Sequence, residues 1–224
     1  MTAAAELVIF DCDGVLVDTE TISNEVLARR LTAVGLPTTP DQATREYKGR
    51  LMSDIVDRVQ ERLGEPLPAG FADDFERERA EVFRRGLAPI PGAAEAVRAL
   101  SAAGVRVCVA SQGRVEKTEM TLTLTGLRHL FAPDAVFSAY MVARGKPHPD
   151  LFLRAAAAMH AAPKATVVIE DTGIGARAGI AAGMRVLGYT GGGERAALSA
   201  AGAELVESLT DVPAAVGVVR RTGR

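Results

Sequence analysis

Short runs of uniformly apolar, largely β-branched residues recur along this chain, and Ala-rich helical stretches separate them. Glu6-Leu7-Val8-Ile9-Phe10 is the first, followed by runs at 105–110, 135–138, 166–169 and 185–188. A strand that is apolar at every position, rather than at alternate ones, is buried on both faces, as in a parallel sheet covered by helices. Pro91-Gly92-Ala93 opens one intervening helix, and Gly104 is placed to terminate it in the left-handed conformation. Pro149-Asp150 opens another, running to about His160. Strands alternating with helices predict an α/β fold with a parallel sheet.

The stretch from Asp18 to Gly86 breaks this rhythm. It contains no strand-like run and four helical segments, punctuated by Gly35, Thr39-Pro40, Gly64-Glu65-Pro66 and Gly86. Its last segment, Phe71 to Arg85, is dense in Glu and Arg at helical spacing and reads as a solvated face. Residues 18–87 therefore form an all-helical unit inserted into a core of residues 1–17 and 88–224. Inserted after the first strand, it would cover the C-terminal edge of the sheet, where open α/β folds bind ligands.

Composition narrows the partners. A formal net charge of −2 gives no general attraction to nucleic acid or to an anionic membrane, and aromatics are only 4% with no Trp, which disfavours stacking on bases. No apolar run is long enough to span a bilayer, and the first residues lack a secretory layout, so a cytoplasmic location is expected. Cys12 and Cys108 both fall in strand-like segments and read as reduced packing residues. A monomer or weak homodimer is the expected assembly.

Chemistry concentrates where strands end. Asp11-Cys12-Asp13-Gly14 sets two carboxylates two residues apart at the end of the first strand. In extended backbone such residues point to the same side. The pair can cap a turn, or it can hold a divalent cation or share a proton. Further on, Ser111-Gln112-Gly113 ends the second run before a helical stretch. Ser111 there is either an N-cap or part of a phosphate site at a helix start. Lys146 lies in Gly145-Lys146-Pro147-His148-Pro149-Asp150, where two prolines stiffen the loop that aims its ammonium. His148 reads as a loop residue. Glu170-Asp171 closes the fourth run with a second acid pair, followed by Thr172-Gly173-Ile174-Gly175. Gly191-Gly192-Gly193 reads as a flexible turn rather than a phosphate loop.

The run Phe10 to Glu20 closely resembles the first signature of the haloacid dehalogenase superfamily, DxDGTLxDS/T. Lys146 to Asp150 matches the family's KPxPD, and 167–184 is similar to VxEDSxxGxxAAxxAGM. The resemblance runs from Leu7 to about Thr190, and the helical insert is similar to the small cap of β-phosphoglucomutase-like phosphatases. It implies a Rossmann-like parallel sheet core with a small all-helical cap inserted after the first strand. It further implies a Mg2+-dependent phosphatase acting on a small phosphorylated metabolite, with sugar phosphates the expected class. Asp11 would be the nucleophile that forms an aspartyl-phosphate, and Asp13 the general acid/base, its main-chain carbonyl also touching Mg2+. Ser111 and Lys146 would bind the phosphoryl group, with Gln112 and Gly113 beside them. Asp171 would bind the metal, and Glu170 would bind or orient it. Tyr47-Lys48-Gly49-Arg50 resembles the family's specificity loop, making Lys48 and Arg50 candidates for substrate contacts, although a solvated basic turn accounts for them as well. Asp18-Thr19 and Gly86-Leu87-Ala88 would be the hinge strands.

Two other readings remain open here. A β-phosphoglucomutase of this superfamily usually carries a His shortly after the first motif, where this chain has Ser23. A non-catalytic phospho-acceptor module also clusters acids around an Asp and Mg2+, but such modules lack an inserted cap.

Overall fold

A computed structural model describes residues 5–192 and 194–218. Six parallel strands form one sheet in the order β3-β2-β1-β4-β5-β6. They are β1 (Leu7–Phe10), β2 (Arg106–Ser111), β3 (Val136–Ser138), β4 (Thr166–Glu170), β5 (Arg185–Tyr189) and β6 (Glu204–Val206). All of β1 and β4 is buried, as their unbroken apolar runs require. β1 pairs with β2 on one side (Ile9 opposite Cys108) and with β4 on the other (Ile9 opposite Val168). The chain order therefore reverses at β1, and a crevice forms beyond the strand ends there.

The sixth strand has no counterpart among the runs of the sequence. It is three residues long and buried only at Val206, so it leaves little apolar signal. Cys12 and Cys108 are both free and buried.

Four helices follow β1: α1 (Glu20–Ala33), α2 (Pro40–Tyr47), α3 (Met52–Leu63) and α4 (Phe71–Arg85). α2 starts in a capping box, with Thr39 Oγ1 accepting from the Gln42 main chain and the Gln42 side chain accepting from the Thr39 main chain. These helices enclose their own apolar cluster, including Val26, Leu31, Val59 and Phe75, separate from the cluster around the sheet. The chain enters and leaves this unit side by side: Val17 pairs antiparallel with Pro89, and the Asp18 main-chain N–H donates to Ala88 O at 3.0 Å.

The remaining helices cover the sheet; α5 (Ala93–Ala102), α6 (Val115–Leu124), α7 (Asp150–Ala158) and α8 (Gly173–Ala181) bear on the site. α5 ends as its Gly104 predicts, with Val105 N donating to Leu100 O and Gly104 N to Ser101 O, both at 3.0 Å. Thr190–Gly192 form a short 3-10 turn, and Gly193 of the triple-glycine run lies outside the described residues. Among the described residues, no helix is long and apolar enough to cross a membrane.

Candidate active site

Asp11 follows β1, Ser111 ends β2 and Asp171 follows β4, so the three central strands deliver their polar ends to one crevice. Lys146 arrives from the loop before α7. Its ammonium donates to Asp11 Oδ1 at 2.7 Å, to Glu170 Oε1 at 2.6 Å and to Ala110 O at 3.0 Å. All three of its protons are thereby used, and the side chain is buried. Gln112 fixes the loop that carries it: Gln112 Oε1 accepts from Lys146 N at 3.0 Å, and Nε2 donates to Lys146 O at 3.2 Å. The Gln112 side chain, expected near substrate, therefore clamps the Lys146 backbone.

Asp11, Glu170 and Asp171 bring one carboxylate oxygen each within 4.8 Å of one another, all buried. Glu170 is saturated. Beyond Lys146, its Oε2 accepts from Asp171 N (3.1 Å), Thr172 N (3.2 Å) and Thr172 Oγ1 (3.0 Å). Asp171 is the opposite case. The Lys48 ammonium meets its Oδ2 at 2.9 Å, while Oδ1 is buried with no partner among the described residues. A buried carboxylate oxygen left without a donor is costly unless a cation takes it. Hard oxygen donors in this arrangement fit a small divalent cation such as Mg2+.

The electrostatics agree. Burial raises the Asp11 carboxyl, Lys146 pulls it down, and Glu170 and Asp13 push it up again, leaving it at about 7. Burial likewise holds Asp171 well above the usual carboxylate range, against the pull of Lys48.

Two glycines make room for this crowding. Gly14 has φ +77°, and a Cβ there would run into the Asp171 carboxylate. A Cβ at Gly175, in the first turn of α8, would overlap the Glu170 carboxylate.

The Asp13 carboxylate has partners outside this acid group. It pairs with the Lys117 ammonium, accepts from Thr19 Oγ1 at 2.5 Å, and lies 3.4 Å from Ser111 Oγ. Burial favours the neutral form of Asp13, but the Lys117 charge and the hydrogen bonds from Lys117 and Thr19 outweigh it and hold the carboxyl at about 2. Ser111 is not a helix N-cap: Arg114 occupies that position before α6, and Ser111 Oγ accepts from Gly113 N at 3.0 Å.

A cavity of about 150 Å3 opens over Asp11, Asp13, Lys146 and Glu170, lined from the sheet edge and from the helical insert, while Ser111 and Asp171 lie buried beneath its walls. Lys48 reaches down from the insert to Glu20 Oε2 and Gly192 O, both at 3.0 Å, as well as to Asp171. Arg50 also lines the cavity, with its Nε donating to Glu46 O at 3.0 Å. His148 is exposed.

Several wall residues escaped the sequence reading. Lys117 and Thr19 become visible only once α6 and the start of α1 are folded against Asp13. Glu76 and Arg79 of α4 also line the cavity. The face of α4 expected to be solvated is thus partly an inner wall, and Phe71, Phe75 and Phe83 on the same helix are buried. The sequence did hold one signal: Arg79 continues the four-residue spacing of Phe71, Phe75 and Phe83, so it lies on the apolar stripe.

A profile of the haloacid dehalogenase-like hydrolases matches residues 5–183. The chain belongs to this family. Among haloacid dehalogenase-like relatives, 6-phosphogluconate phosphatase of Escherichia coli (strain K12) is 34% identical over 182 residues, spanning 81% of this chain and 80% of the relative. Hexitol phosphatase A of the same organism is 28% identical over 181 residues, spanning 80% of each. A solved haloacid dehalogenase family hydrolase from Deinococcus radiodurans R1, with bound phosphate and sodium, is 32% identical with a TM-score of 0.76, and the match covers 97% of this chain and 99% of that one.

Proposed function

We propose that this hydrolase is a Mg2+-dependent phosphatase that releases phosphate from a small phosphorylated metabolite, a sugar phosphate by class, through an aspartyl-phosphate on Asp11. The observation that carries the reading is the paired arrangement of acids at the strand ends. Asp11, in the cavity wall, is gripped by the buried Lys146, and the buried Asp171 beside it keeps Oδ1 without a hydrogen-bond partner among the described residues. The phosphatase relatives agree with it.

In this reading Asp11 and Asp171, with the Asp13 main-chain carbonyl, would hold Mg2+, which would supply positive charge to offset the carboxylates and the phosphoryl group. Glu170, its oxygens already committed, orients Lys146 and the turn before α8. Asp11 attacks phosphorus, and the bond from phosphorus to the substrate oxygen breaks as Asp13, which takes up a proton when the anionic substrate comes to lie beside it, gives that proton to the oxygen. Asp13 then takes a proton from water as the water attacks the aspartyl-phosphate, freeing phosphate and Asp11. Dividing the displacement in two lowers each barrier. Ser111 Oγ and the Lys146 ammonium meet the phosphoryl oxygens, and Lys48 and Arg50 approach from the insert.

Ser23 lines the cavity and cannot serve as a proton-transferring imidazole, which favours hydrolysis over phosphosugar mutation. The test is release of inorganic phosphate from a panel of sugar and polyol phosphates, with and without chelator. Release that requires Mg2+ and no bisphosphate activator supports the proposal. Turnover in excess chelator refutes the metal assignment, and an absolute need for a bisphosphate points to the mutase.

A further inference from the structure

We infer that Gln112 is a positioning residue: it ties the loop that carries Lys146 to the end of β2 that carries Ser111, so that the two groups meeting the phosphoryl oxygens are held as one unit. The inference rests on the phosphatase reading and deepens it by naming what aims the buried ammonium.

The loop before α7 has few main-chain donors with which to fasten itself. Pro147 and Pro149 have no N–H, and His148 N turns back into the loop, donating to Gly145 O at 3.0 Å. Both main-chain groups of Lys146 go instead to one side chain, 34 residues away in sequence: Gln112 Oε1 accepts from Lys146 N at 3.0 Å, and Nε2 donates to Lys146 O at 3.2 Å. Among the described residues neither group has another hydrogen-bond partner. A carboxamide offers an acceptor and a donor side by side, so this pairing fixes the direction of the Lys146 backbone as well as its distance. A carboxylate at the same place would offer acceptors alone.

The anchor is firm. Gln112 directly follows β2, which lies inside the sheet between β1 and β3, and Ser111 before it is fully buried. Gly145 leaves room for the clamp, since a Cβ there would come within 2.7 Å of Gln112 Oε1. The other tie across the loop, Arg144–Asp150, has side chains 59% and 22% exposed and contributes little.

At the far end of Lys146 the ammonium must meet Asp11 Oδ1, Glu170 Oε1 and Ala110 O together. A lysine stem is flexible, so the ammonium stays aimed at the nucleophile only while the main chain that carries it stays fixed. Although Gln112 lines the cavity, both ends of its amide are engaged by Lys146. Its effect therefore falls on the phosphoryl end of a substrate, whatever alcohol is attached.

The test measures kcat and KM separately on p-nitrophenyl phosphate and on a hexitol phosphate, in wild type, Gln112→Met, Gln112→Asn and Gly145→Ala. Methionine keeps the length and removes both bonds, asparagine carries the same amide on a stem too short to make both, and the alanine methyl pushes Gln112 off Lys146. The expected result is a kcat roughly ten- to a hundredfold lower in Gln112→Met and Gly145→Ala, equally on the two esters, with KM within about threefold of wild type. Gln112→Asn should keep part of the lost rate. Arg144→Gln, which breaks the exposed pair on the same loop, should leave both constants unchanged. Thermal melts accompany each variant, and rates are taken below its melting midpoint. A KM change that differs between the esters would make Gln112 a substrate contact, and a lowered melting temperature with kcat intact would make it a structural residue; either overturns the proposal and leaves the phosphatase reading standing. Release of phosphate from neither ester by wild type would overturn the phosphatase reading itself. If Gln112→Met fails to fold, Gln112→Asn and Gly145→Ala carry the comparison.

Discussion

Replacing Asp11 with Asn should stabilise the metal-free protein at about pH 8 while abolishing turnover. The Asp11 carboxyl is buried beside Glu170 and Asp171, and in the fold it titrates at about 7 rather than at 3.8. Holding it ionised in the native state therefore costs ~4 kcal/mol relative to the unfolded chain, at ~1.4 kcal/mol per pH unit. An acid whose pKa is raised by folding favours the fold fully only below its unfolded pKa. That contribution is lost as pH rises from about 4 to about 7. Asparagine cannot ionise and escapes the penalty. At ~2–4 °C per kcal/mol for a domain of this size, Asp11→Asn should melt ~8–16 °C higher than wild type at about pH 8. The gap should close near pH 4.5, where wild-type Asp11 is protonated in the fold. Thermal melts in chelator at the two pH values measure this, and added Mg2+ should narrow the gap by neutralising the wild-type acids. An Asn variant that melts lower at pH 8, or by the same margin at both values, would refute the account of a charge-strained nucleophile.

Other perturbations probe the neighbours. Lys146→Met leaves Asp11 and Glu170 facing each other without their shared cation, at a cost of ~3–5 kcal/mol. A drop in melting temperature together with lost phosphate release is expected, and a variant as stable as wild type contradicts it. Lys117→Met removes the charge that holds Asp13 at about 2, and because Asp13 must carry a proton to protonate the leaving oxygen, the limb on which kcat/KM falls as pH rises should move to higher pH; an unmoved limb counts against the pair. Gly14→Ala combines a left-handed backbone with a Cβ aimed at Asp171. It should cost ~1–3 kcal/mol and abolish stabilisation by Mg2+ in thermal melts, and retention of both properties would speak against the packing described.

What the sequence made legible divides along physical lines. Strand interiors such as Leu7–Phe10 announce themselves because burial on both faces demands apolar residues throughout. The acids, Ser111 and Lys146 stand at strand ends or in proline-stiffened loops, where local pattern fixes their position. β6 escaped because three residues at a sheet edge, only Val206 of them buried, carry almost no pattern. Lys117 escaped because its partner lies 104 residues away, and no local spacing encodes that meeting. In α4 the i, i+3 spacing is identical for the outward pair Asp74–Arg77 and the inward pair Glu76–Arg79. Only the phenylalanine stripe, on which Arg79 falls, distinguishes them. Ser111 as an N-cap failed for a similar reason: the helix begins four residues later, at Val115.

The antiparallel contact of Val17 with Pro89 has a consequence for how such a molecule diversifies. Because entry to and exit from the helical unit lie next to each other, that unit is joined to the sheet much as a pendant is joined by a clasp. Loop-closure entropy grows slowly with the length enclosed, so the sheet places little constraint on how long a segment hangs there. Its helices bury an apolar cluster of their own. A different helical segment could be spliced between Val17 and Pro89 with Asp11, Ser111, Lys146 and Asp171 left where they are, so bond-breaking and substrate choice can be inherited separately.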